Sequence, residues 1–74
     1  MENIETAIKY LNAVEWPPGL PVRYNVTRDY IVLKVKKLDW ILLRDEHVMQ
    51  AAHVVNKTLT WLNANGYPAK LEAE

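Results

Sequence analysis

The segment Tyr30–Lys37, Tyr-Ile-Val-Leu-Lys-Val-Lys-Lys, limits the fold more than any other stretch of the chain. Side chains of a strand alternate between its two faces. Ile31, Leu33 and Val35 therefore form one apolar row, while Tyr30, Val32, Lys34 and Lys36 form a second row that is half apolar and half basic. Such a strand needs a complete cover on its first face and a use for its second.

Length decides how much cover can be built. With 74 residues the chain is one domain. A domain of this size buries about 60% of the surface its unfolded chain exposes, so its stability is marginal. The sequence has no cysteine, which excludes disulfides and thiolate metal sites and leaves self-association as the available reinforcement. Half of the residues are apolar and 24% are charged, the balance of a globular chain. The start, Met-Glu-Asn-Ile-Glu-Thr-Ala-Ile, is acidic and amphipathic, unlike a signal peptide. No apolar run approaches the roughly 20 residues of a membrane span. The expectation is a cytoplasmic domain with no membrane contact. The sequons at Asn25 and Asn56 then carry no meaning.

Periodicity divides the chain into five elements. Ile4, Ala7, Ile8, Leu11 and Val14 share one helical face, with Asn3 as its N-cap. Pro17 and Pro18 end that helix, since a proline drives the residue before it out of helical geometry. Val22–Thr27 alternates as a half-buried strand, and Thr27-Arg28-Asp29 turns it back into the strand from Tyr30. Residues 38–44 fit either a third strand or the front of a longer helix. A continuous helix would put Arg44 and Asp45 near the apolar stripe that follows, so the strand is preferred. Val48, Ala51, Ala52, Val55, Leu59 and Leu62 then make a second helix, N-capped by Asp45 and widened by His47, Val54, Thr58 and Trp61. Asn65-Gly66 and Pro68 stop it. The fold class read from this order is α+β: a helix, a three-stranded antiparallel sheet and a helix (αβββα), with both helices on one sheet face. Residues 1–68 make the domain, and 69–74 make a frayed tail.

The neutral total charge hides an uneven distribution. Residues 22–44 carry six cations against Asp29 and Asp39, giving +4, whereas residues 1–21 and 45–74 each sum to −2. If the helices cover Ile31, Leu33 and Val35, the open face shows Arg23, Tyr30, Lys34, Lys36, Trp40 and Arg44. Arginine and aromatic residues are enriched at binding hot spots. These six are therefore the candidate partner-binding residues, with Trp40 and Tyr30 as anchors and the cations meeting an acidic patch on a protein partner. Nucleic acid is the alternative ligand for the same face, by base stacking on the aromatics and phosphate contacts to the lysines. A structural homodimer is the third reading. Edge pairing suits it better than face-to-face pairing, which would oppose lysines. The element order is also that of double-stranded-RNA-binding domains. Their lysine-rich start of the last helix is replaced here by Asp45-Glu46-His47, so no kinship is drawn.

Enzymatic chemistry finds little support. His47 and His53 are six residues apart and project in different directions from a helix, so they do not form an i, i+4 metal pair. Asp45 and Glu46 suit a helix start. Gly19 and Gly66 are the only glycines and form no phosphate-binding loop, and serine is absent. The expectation is a non-enzymatic module without cofactor or metal, an inhibitor or regulator of the size that phages and mobile elements encode.

Overall fold

The computed structural model describes residues 3–74. Its elements are α1 (Ile4–Ala13), β1 (Arg23–Val26), β2 (Ile31–Val35), α2 (Lys37–Leu42), α3 (Asp45–Ala64) and β3 (Ala69–Ala73). The class is α+β, and the sheet is three-stranded in the order β1-β2-β3. It is mixed rather than antiparallel: β1 pairs with β2 antiparallel, and β2 pairs with β3 parallel.

Two expectations are corrected together. Residues 38–44 are not a strand, and the C-terminal residues are not a frayed tail. The chain leaves β2 through α2 and α3 and returns as β3 beside β2. A parallel neighbour requires such a long crossover. The phase conflict at Arg44 is real, and a break resolves it. Leu43 and Arg44 adopt extended dihedrals (φ −63°, ψ 139° and φ −67°, ψ 145°), so α3 starts afresh with its own phase. The order is thus αββααβ, which removes the likeness to double-stranded-RNA-binding domains.

β2 is the centre. Ile31, Leu33 and Val35 are fully buried, and Val32 on the opposite face is only 4% exposed. Both helices lie on the Ile31–Leu33 row: Ala7 and Leu11 of α1 and Leu62 of α3 share one buried cluster with it and with Tyr67. A second cluster joins Val35 to Leu20, Ala51 and Val55. Thr58, expected at the flank, is buried, and its hydroxyl donates to the Val54 carbonyl at 2.8 Å.

The connections follow from local chemistry. Leu20 N–H donates to the Pro17 carbonyl (3.2 Å) across Pro18 and Gly19, whose φ of +85° suits glycine. The β1–β2 turn lacks glycine and is closed by Thr27. Its hydroxyl donates to the Tyr30 carbonyl (2.7 Å) and accepts from Tyr30 N–H (3.1 Å). α3 ends in a Schellman motif: Tyr67 N–H donates to the Leu62 carbonyl (2.9 Å) and Gly66 N–H to Asn63 (3.3 Å), with Gly66 at φ +84°.

One N-cap differs from expectation and the other caps in an unexpected way. Arg44, not Asp45, occupies the cap of α3. Asn3 stands at the cap of α1 as expected, in the left-handed region (φ 56°), with no side-chain cap bond among the described residues. Its backbone carbonyl instead accepts from Thr6 N–H (3.1 Å) and from the Tyr67 hydroxyl (2.9 Å).

Candidate functional site

The open sheet face is built from residues that alternate with the buried row. Arg23 of β1 stands beside Lys34 of β2, which stands beside Glu72 of β3; Asn25, Val32 and Lys70 form the next row across the sheet. Of the six candidates, Arg23, Tyr30 and Lys34 meet here. Lys36 continues the Lys34 row as the extended residue before α2 (φ −88°, ψ 132°).

The face is less basic than the sequence implied, because β3 and the residue after it bring Glu72 and Glu74 to it against one added cation. Glu74 reaches across the central strand to Arg23 (Nη2 to Oε1, 2.6 Å). Glu72 lies beside Lys34. The added cation, Lys70, sits 4.3 Å from the centre of the Tyr30 ring, a cation–π contact. With its carboxamide oxygen turned to Lys34, Asn25 accepts from Nζ at 3.2 Å. Among the described residues, every expected cation of the face thus has carboxylate or amide company from its neighbours, save Lys36 at its margin.

Trp40 does not lie on this face. It projects from α2 against the cluster of Leu20, Val35, Ala51 and Val55, beside Leu43. The physical reason is the helix: residues 40 and 43 lie on one side of it and residues 38, 41 and 42 on the other. Arg44 sits at the α2–α3 junction and pairs with Glu46 (3.2 Å). Surface pairs of this kind contribute about 0–1 kcal/mol.

What α2 exposes is the feature that sequence reasoning missed. Leu38, Ile41 and Leu42 are 61%, 76% and 70% exposed, and Met49 on the next helix is 78% exposed. Leu38 lies three and four residues before Ile41 and Leu42, so the three side chains share one helical face. The signal lies in the stretch Leu38–Leu43, where five of six residues are apolar, more than one buried side of either element can absorb. Lys36 and Lys37 precede this face and Arg44 follows it, with Asp39 in the first turn.

A groove of about 590 Å³ runs along the outer side of α3 past His53, Lys57, Thr60 and Trp61. The Trp61 ring is already stacked on Tyr10 (3.8 Å between centroids, 4° between planes), which ties α1 to α3. Among the described residues, no three metal-ligating side chains come together and no helix is long and apolar enough to cross a membrane. Compared with known proteins, the chain matches no family model, no curated protein and no solved structure.

Proposed function

We propose that the chain is a small non-enzymatic module that binds a protein partner, with α2 as its principal docking element. The observation that carries this reading is the exposure of Leu38, Ile41 and Leu42 on one side of a helix whose other side holds Trp40 against the core. Exposed apolar clusters rimmed by charge mark interaction surfaces. A short helix presenting residues at i, i+3 and i+4 suits an apolar groove.

The charge around α2 selects the kind of groove. Lys36, Lys37 and Arg44 against Asp39 give residues 36–44 a net charge of +2 (three minus one). The fitting partner is a protein with an apolar cleft and an acidic rim. Lys36 and Arg44 keep the role the sequence suggested for them. Arg23, Tyr30 and Lys34 become a secondary surface, and Trp40 becomes a support for the docking helix. The mechanism is occlusion of the partner's cleft, as an inhibitor or regulator would act.

Capture from host lysate tests this, with the chain and a Leu38→Ser/Ile41→Ser/Leu42→Ser variant as paired baits, each with and without nuclease. A protein retained by the first bait, resistant to nuclease and lost from the second supports the reading. A ligand that nuclease removes assigns the chain to nucleic acid. A ligand that both baits retain equally places the site elsewhere.

A further inference from the structure

The free edge of β3 carries a pattern that the α2 reading does not use. In the parallel ladder, Ile31 N–H donates to the Pro68 carbonyl and Glu74 N–H to the Val35 carbonyl, both at 2.8 Å. With Ile31 beside Ala69 and Val35 beside Ala73, the main-chain groups of Lys70, Glu72 and Glu74 face β2. Those of Ala69, Leu71 and Ala73 face outward. Asn63 of α3 occupies the first outward position: its Oδ1 accepts from Ala69 N–H at 3.1 Å, and its Nδ2 donates to the Ala69 carbonyl at 3.2 Å. Among the described residues, no hydrogen bond reaches the outward groups of Leu71 or Ala73.

The side chains of this edge are self-complementary. Residues 69–73 read Ala-Lys-Leu-Glu-Ala, and reversing the direction exchanges the lysine with the glutamate. An antiparallel strand of the same sequence, related by a two-fold axis at Leu71, sets Lys70 opposite Glu72 of the second copy and Glu72 opposite its Lys70. Directly opposed unlike charges favour pairing and like charges oppose it. Moving the axis by one residue would set Glu72 against Glu72, which disfavours that register. Leu71, 39% exposed, would meet its own counterpart. Ala69 would face Ala73, the very place that the Asn63 amide fills.

We infer that β3 is a latent pairing edge for a second copy of this chain, which would join two sheets into one, and that Asn63 is the latch that keeps it shut. Opening exchanges the side-chain bonds to Ala69 for main-chain bonds to Ala73 of the second copy and adds the Leu71 pair. The closed form is the monomer. The paired form shows two α2 surfaces, as a closed two-fold dimer must.

Sedimentation over a concentration series tests the inference, with circular dichroism as the check on folding. Asn63→Ala should raise the association constant over the wild type by about tenfold or more, equivalent to roughly 1.4 kcal/mol. In that background Lys70→Glu or Glu72→Lys alone should restore the monomer. The two charge variants mixed should associate with each other, and the double reversal should associate again. Leu71→Pro removes an outward N–H while leaving the ladder to β2 intact, and it too should give monomer. If Asn63→Ala does not fold, Asn63→Ser carries the same comparison. Association no stronger than that of the wild type, or association indifferent to the charge reversals, overturns the inference. The α2 substitutions should not move this equilibrium, so its outcome stands apart from that of the docking experiment.

Discussion

The carboxamide of Asn63 bonds both main-chain groups of Ala69, at 3.1 and 3.2 Å, so a helix side chain fills the place of a fourth strand. The same amide donates to the Leu59 carbonyl at 2.9 Å, which fixes its direction. Edge strands with open main-chain groups invite association, and proteins commonly cover them. Here the cover also ties β3 to α3. Asn63→Ala should lower the stability of the monomer by about 1 kcal/mol, since the bonds it removes are exposed and water can replace them. Urea unfolding at a concentration that keeps the variant monomeric measures this.

Gly66 fixes the end of α3. A Cβ added there meets nothing within 4 Å, yet φ is +84°. The cost of Gly66→Ala is therefore one of backbone conformation, about 1 kcal/mol. Asn tolerates the left-handed region better than Ala, so Gly66→Asn should cost less. The two midpoints in urea, compared with the wild type, give the order.

Trp40 and Ile41 are neighbours in sequence and face opposite sides of α2. Trp40 packs against the core, and Ile41 is 76% exposed. Trp40→Ala should destabilise the fold by roughly 2–4 kcal/mol, somewhat below the range for a fully buried tryptophan. Ile41→Ala should stay within about 0.5 kcal/mol of the wild type. Equal losses at both positions would contradict a helix at residues 37–42.

Among the described residues Thr58 is the one buried polar side chain of the core, and its hydroxyl donates to the Val54 carbonyl of its own helix. That carbonyl keeps its ordinary helix partner if the hydroxyl is removed. Thr58→Val should thus be neutral or slightly stabilising. Thr58→Ser, which leaves a methyl-sized void, should cost about 1 kcal/mol. Thermal melts of the pair settle the sign.

The first and last helices, the hairpin and the glycine stop at Gly66 were legible because each rests on a local pattern. The β2 floor was legible too, since Ile31, Leu33 and Val35 alternate cleanly and lie fully buried. The third strand was not. Ala69–Ala73 contains no β-branched or aromatic residue, and alanine, lysine and glutamate are poor strand formers. It is a strand because β2 is buried save for Lys34, so the main-chain groups of its second edge require a partner. Residues 38–44 could alternate as well as they could spiral, so their period could not decide. Placing the third strand there carried Trp40 and Arg44 onto the wrong surface and hid Glu72 and Glu74, which the true third strand brings to the open face. Arg23, Tyr30 and Lys34 share one sheet face because the β1–β2 hairpin, whose alternation is legible in the sequence, sets them there.

The central claim is that α2, rather than the open sheet face, carries the principal contact. The direct measurement is the affinity of the captured protein for the wild type, for Ile41→Ser/Leu42→Ser, and for Lys34→Glu on the sheet face, by titration calorimetry. The account predicts a loss of about 100-fold for the α2 pair, as two hot-spot residues would give, and a change below about tenfold for Lys34→Glu, which belongs to the rim. Wild-type affinity in the α2 pair, with binding lost in Lys34→Glu, would contradict it and return the site to the sheet.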